Sequence, residues 1–131
     1  MTWSPMISST LRKSVLVVDD ELDNLFVIVE FLKKEGFNVL TSKNGEEALG
    51  ILRANDVHLV LLDIAMPGLD GIATLREIKK LNPTLMAVIV TANGSSEKIV
   101  DAFNSGAYDY LVKPLDFKYF RESVISRLLA S

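Results

Sequence analysis

The sequence predicts an α/β fold in which a parallel sheet is covered by helices on both faces. Short apolar runs alternate five times with helical stretches along the 131 residues, the signature of right-handed βαβ units. The run Val57–Leu62 is apolar almost throughout, as a strand buried on both faces must be. Four runs also stop at a reactive polar group: Val15–Val18 at Asp19 and Asp20, Leu59–Leu62 at Asp63, Ala87–Val90 at Thr91, and Tyr110–Val112 at Lys113. Parallel strands point one way, so these groups should meet at one sheet edge, where open α/β folds place their ligands.

The elements follow in order. Ser14–Val18 is the first strand. In the helix Glu21–Glu35, Leu25, Ile28, Val29 and Leu32 repeat at helical spacing, and Gly36 stands where the chain must turn out of it. Phe37–Thr41 is the second strand. Asn44 offers an N-cap with Glu47 as its capping-box partner, opening a helix Gly45–Ala54 that buries Ala48, Ile51 and Leu52. After the third strand, the turn Met66-Pro67-Gly68-Leu69 leads to a helix Gly71–Leu81 carrying Ile72, Leu75 and Ile78, stopped by Asn82-Pro83. Leu85–Val90 is the fourth strand. Ser95 or Ser96 caps a fourth helix that turns Ile99, Ala102 and Phe103 inward and ends at Gly106. Tyr108–Val112 is the fifth strand, and Asp116 caps a last helix with Phe120, Val124 and Leu128 on one face.

Composition narrows the function. Hydrophobic residues make up 49% and charged residues 24%, with a net charge of −3, no cysteine and one histidine. This is an ordinary globular profile for one domain, 14–130, behind a Ser-, Thr- and Pro-containing tail, 1–13, expected to be flexible. No clustered basic stripe marks a nucleic-acid surface. Neither a membrane span nor a signal peptide is visible, so a cytoplasmic location away from membranes is expected.

Taken singly, the strand-end residues have local explanations: Asp20 as an N-cap, Thr91 as a turn residue, Lys113 as a solvated lysine. Asp63 is harder to account for, because a carboxylate closing the most apolar strand needs partners to stay ionised. Together they describe a site for a divalent cation and a phosphoryl group. Crowded carboxylates repel, and a hard cation such as Mg²⁺ relieves that while leaving positions for phosphate oxygens. A carboxylate can attack phosphorus to form an aspartyl phosphate, with Lys113 neutralising the transferring group and Thr91 donating to it.

Asp19-Asp20, Asp63, the segment Met66–Gly71 (MPGLDG), Thr91-Ala92 and Lys113-Pro114, in that order, resemble the receiver domain of two-component response regulators from about Ser14 to Leu129. The resemblance implies a flavodoxin-like sheet of order 2-1-3-4-5. It implies Asp63 as phosphoacceptor from a phosphohistidine on a sensor histidine kinase or phosphotransfer protein. Asp20, Asp63 and the backbone carbonyl of Ala65 would ligate Mg²⁺, with Asp19 acting through a bound water. Lys113 would pair with the phosphoryl group, its bond to Pro114 being a candidate cis peptide. Thr91 and Tyr110 would be the switch pair, Tyr110 rotating into space that Thr91 vacates. The fourth helix, fifth strand and fifth helix would then change for a partner or a second copy. Such a domain catalyses only its own phosphotransfer and slow self-dephosphorylation, and does not turn over an outside substrate.

Ala65 carries only a methyl where it faces the site, and Asn93 is placed to reach over it. His58 reads as a structural residue beginning a buried strand. Phe26, Val27 and Phe31 make the first helix apolar on more than one face; extra core burial is the expected reading, a partner-docking patch the alternative. Two rivals stand against phosphoacceptance. A haloacid-dehalogenase-type phosphatase would need Asp-x-Asp after the first strand, where this chain has Asp19-Asp20. A receiver-like module that no longer accepts phosphate would retain the fold alone.

Overall fold

The computed structural model describes residues 12–66 and 70–130. The N-terminal tail, apart from Arg12 and Lys13, and the Pro67–Leu69 turn lie outside them. Five strands, β1 (Ser14–Val18), β2 (Asn38–Ser42), β3 (Leu59–Leu62), β4 (Met86–Thr91) and β5 (Asp109–Val112), form one parallel sheet in the order β2-β1-β3-β4-β5. Between and after them run α1 (Leu22–Lys34), α2 (Gly45–Ala54), α3 (Gly71–Leu81) and α4 (Ser96–Asn104). The last helix, α5, is α-helical over Phe117–Tyr119, π-helical over Phe120–Ile125 and α-helical again over Ser126–Ala130.

Alternation along each strand divides the core. Val15, Val17, Leu61, Val88 and Val90 face α1 and α5, where Leu25, Ile28, Leu32, Phe120 and Val124 meet them. Leu16, Val18, Val60, Leu62 and Ile89 face the other layer and pack on Ala48, Leu75, Ile78 and Ala102. Both faces are dry, and each fully buried Leu or Ile contributes about 2 kcal/mol, which is why these strands read as continuous apolar runs. Phe31 of α1 stacks on Phe117 at 4.5 Å and lies under the Arg121 guanidinium, itself paired with Glu35 at 3.0 Å, so α1 and α5 are clamped together at one end.

The caps follow the sequence with small shifts. Asn44, Asp70, Ser95 and Asp116 each accept a backbone N–H three residues on. Gly36 and Gly106 take positive φ. Asp20 does not cap α1. Glu21 occupies that position, and Asp19 Oδ1 accepts the Glu21 N–H at 3.0 Å instead. β2 and β4 each sit one residue later than expected, and β3 starts at Leu59. His58 therefore precedes its strand. It is half-buried, and its Nδ1 accepts the Ser14 N–H at 3.0 Å, a structural role at the strand edge. Three expected core residues point outward: Phe26 (68% exposed), Val27 (52%) and Phe103 (45%). The core stripe of each helix is already filled by neighbours at helical spacing, leaving these side chains on the wet face.

Candidate functional site at the carboxyl edge of the sheet

Each site residue continues the hydrogen-bond ladder just beyond its strand. The Asp19 N–H donates to Ser42 O, the Asp63 N–H to Val18 O and the Lys113 N–H to Thr91 O, at 3.1, 3.0 and 2.8 Å. Their Cα positions are thus set by the sheet rather than by loops. Val18 is paired with Leu62, so the residues that follow, Asp19 and Asp63, sit side by side at the ends of β1 and β3.

The two carboxylates are nearly inaccessible, Asp19 at 2% and Asp63 at 5% exposure. Buried carboxylates require a counter-charge, and Lys113 supplies it to both. Its ammonium donates to Asp19 Oδ2 at 2.7 Å and to Asp63 Oδ2 at 2.9 Å. Burial alone would lower the lysine's pKa. The hydrogen bonds and charges of Asp19 and Asp63 outweigh it, and the pKa is raised. The remaining oxygens are also used: Asp19 Oδ1 by the Glu21 N–H and Asp63 Oδ1 by the Ala65 N–H at 2.8 Å. The Lys113–Pro114 peptide bond is cis.

Thr91, at the end of β4, is fully buried, and its Oγ1 accepts the Asn93 N–H at 3.4 Å. Tyr110 is buried as well. Its phenol donates to the Asn93 carbonyl, and burial, together with the charge of Asp63, raises its pKa. The side chain of Asn93 does not reach over the site, because its Oδ1 accepts the Ser95 N–H at 3.1 Å and shapes the turn into α4.

Asp20 stands apart. It is exposed and, among the described residues, makes no hydrogen bond or ion pair through its carboxylate. No three acidic side chains among the described residues are gathered closely enough to cradle an ion by themselves. The donor set of Asp19, Asp20, Asp63 and the backbone carbonyl of Ala65 is all oxygen, which suits a hard cation.

Two features escaped the sequence reading. Gly71 lies so close to β3's continuation that a Cβ there would sit 2.3 Å from Ile64 Cβ; this contact draws α3 against the residue next to Asp63. Ser42 Oγ is buried with no partner among the described residues, at the strand end whose carbonyl receives Asp19. A glycine beside a motif Asp hints at the first; nothing local to β2 signals the second.

Over residues 15–125 the sequence matches the family described as response regulator receiver domain. The chain belongs to that family. It is 44% identical over 110 residues to the transcriptional regulatory protein ZraR of Salmonella typhimurium, covering 84% of this chain and 25% of that protein. It is 40% identical over 105 residues to the DNA-binding transcriptional regulator NtrC of Escherichia coli, covering 80% and 22%. The receiver domain thus spans about a quarter of the length of these relatives. A two-component response regulator from Clostridium difficile superposes with a TM-score of 0.85 at 28% identity, over 91% of this chain and 97% of that one. The receiver domain of NtrX from Brucella abortus does so with a TM-score of 0.81 at 37% identity, over 89% and 98%.

Proposed function

We propose that this receiver domain accepts a phosphoryl group on Asp63 from a phosphohistidine of a sensor histidine kinase or histidine phosphotransfer protein. The observation that carries the reading is the Lys113 ammonium shared between Asp19 and Asp63 at the ends of β1 and β3. That arrangement gives a buried carboxylate its counter-charge and holds a cation where the incoming group develops charge.

In the step itself, an Asp63 carboxylate oxygen forms a bond to phosphorus as the phosphorus–nitrogen bond to the donor imidazole breaks, the electron pair leaving with that ring. Lys113 then turns from neutralising Asp63 to pairing with the phosphoryl oxygens, while its bond to Asp19 keeps it in place. The Thr91 hydroxyl, at the adjacent strand end, donates to another of those oxygens. Asp20, Asp63 and the Ala65 carbonyl would hold Mg²⁺, with Asp19 reaching it through water; the ion supplies further charge neutralisation at the phosphoryl group.

Phosphorylation adds about −1.5 to −2 charges and strong acceptor oxygens. Moving the Thr91 hydroxyl toward them would break its contact with the Asn93 N–H, on the same residue whose carbonyl holds the Tyr110 phenol. Tyr110 already lies inside the fold, so the proposed change begins at the Thr91–Asn93–Tyr110 link and is read at α4, β5 and α5. Val100, Phe103, Val112 and Tyr119 are exposed on those elements, a surface suited to a partner or a second copy. The exposed Phe26 and Val27 of α1 suit a docked phosphodonor protein, since Val27 borders the same hollow as Lys113, Pro114 and Phe117. The reading assigns no direct nucleic-acid contact to this domain.

Acetyl phosphate with Mg²⁺ should add one phosphoryl group per chain, and chelation of the metal should suppress it. Uptake unchanged in Asp63→Asn would refute the assignment. Continuous hydrolysis of a generic phosphate ester would favour the phosphatase reading, and no uptake at all would favour a silent module.

A further inference from the structure

At the opposite edge, where the strands begin, the surface holds an open cavity of about 510 Å³. Three cations from separate elements line it: Lys13 before β1, Lys79 in the last turn of α3 and Arg127 in α5. The carboxylate on its wall is Asp56, which faces His58 at 3.7 Å. Neither Lys13 nor Arg127 is engaged in an ion pair among the described residues.

Lys79 is held in place. Its Nζ donates to the Leu85 carbonyl at 2.6 Å, and its stem crosses Gly106, where a Cβ would come within 3.1 Å of Lys79 Cγ. Its pKa is lowered by burial, so the ammonium has lost part of its hydration without gaining a carboxylate. Cations commonly end helices because they complement the helix dipole. That accounts for Lys79 and Arg127 singly. It does not account for Lys13, which precedes a strand, nor for three cations gathered at one hollow of a chain whose net charge is −3. Like charges so placed repel, and an anion relieves them.

The rest of the wall is mixed: Asn82 and Thr84 are polar, and an apolar and aromatic stretch lies beside them. Val57 and Leu85 are buried beneath the cavity, while Tyr108 leaves 41% of its surface exposed beside it. A ring can lie against such a wall while an attached anion meets the cations. The volume is within the range of small-ligand sites, roughly 300–1,000 Å³.

We propose that this cavity binds a nucleoside phosphate, its base against Tyr108 and the Val57–Leu85 wall and its phosphate between Lys13, Lys79 and Arg127. The site is independent of phosphoacceptance at the other edge. Titrating the full chain with AMP in metal-free buffer, followed by amide NMR, tests it. Saturable shifts should centre on residues 57, 85, 106, 108 and 127. Adenosine and inorganic phosphate should each bind more weakly than AMP. A double variant Lys13→Gln, Arg127→Gln, checked for native circular dichroism, should weaken AMP by about tenfold or more, Arg127→Lys should retain most of the affinity, and Asp63→Asn should bind as wild type. No saturation, shifts centred on Asp63, or unchanged affinity in the folded double variant would overturn the proposal. Inorganic phosphate binding as tightly as AMP would overturn its nucleoside part.

Discussion

The two edges of this sheet are built from the same five strands and have opposite characters. At the carboxyl edge, charges are buried and matched: Asp19 and Asp63 share Lys113, and each of their other oxygens takes a backbone N–H. At the amino edge, cations stand around an open cavity with little to neutralise them. A carboxylate that ends a buried strand must be paired or it will take up a proton, so the first edge is a closed electrostatic unit. The second faces water, and solvent carries most of its imbalance. Substitutions at the first edge should therefore reach stability and chemistry together, while those at the second should touch binding alone.

The largest contrast should come from Asp63→Asn. It should abolish phosphoryl uptake measured by intact mass, whereas Arg127→Gln should leave uptake at the wild-type level; equal loss in both would break the separation of the edges. Lys113→Met should follow. It leaves two buried carboxylates facing each other and should destabilise the domain by about 3 kcal/mol in urea denaturation, against a change within about 0.5 kcal/mol for the exposed Arg127→Gln. Gly71→Ala should cost about 1–3 kcal/mol, because its methyl would overlap Ile64 and something beside Asp63 must move. Tyr110→Phe should cost about 1 kcal/mol by removing the donor to the Asn93 carbonyl.

Alkaline pH sharpens the same comparison. The pKa of Lys113 is raised in the folded state above its ordinary value of 10.5. Its stabilising contribution is then fully present below that pH and is lost as pH rises through the folded value. Tyr110, also raised, adds a loss of the same sign. Unfolding free energy measured upward from pH 10 should fall in the wild type and fall less steeply in Lys113→Met. Parallel slopes would mean that the ion pair contributes nothing to the folded state.

The legibility of the chain divides along similar lines. The carboxyl edge could be read because parallel topology alone brings strand ends together, and each of its residues directly follows an apolar run. The amino-edge cavity could not, because Lys13, Lys79 and Arg127 precede a strand or end helices and become neighbours through packing that no local pattern encodes. Periodicity named the buried stripe of α1 correctly at Leu25, Ile28 and Leu32, while Val29, the fourth residue of the expected stripe, is only half-buried. It could not say whether Phe26 and Val27 meet a further layer, and they do not. Phe103 was assigned inward on apolar character, yet Ala102 fills the place against the sheet. The π-helical turn at Phe120–Ile125 has no sequence cue comparable to a proline or glycine. Asp20 was read as a possible cap, but Asp19's carboxylate takes the N–H at that turn, and this leaves Asp20 without a capping role.

The central claim is that Asp63 is the residue that becomes phosphorylated. An aspartyl phosphate can be reduced by borohydride, which converts that one carboxyl carbon to an alcohol, and peptide mapping then locates it. Treatment with acetyl phosphate and Mg²⁺ followed by reduction should convert position 63 and leave Asp19 and Asp20 intact. Conversion at Asp19 or Asp20, or none at any of the three despite phosphoryl uptake, would contradict the account.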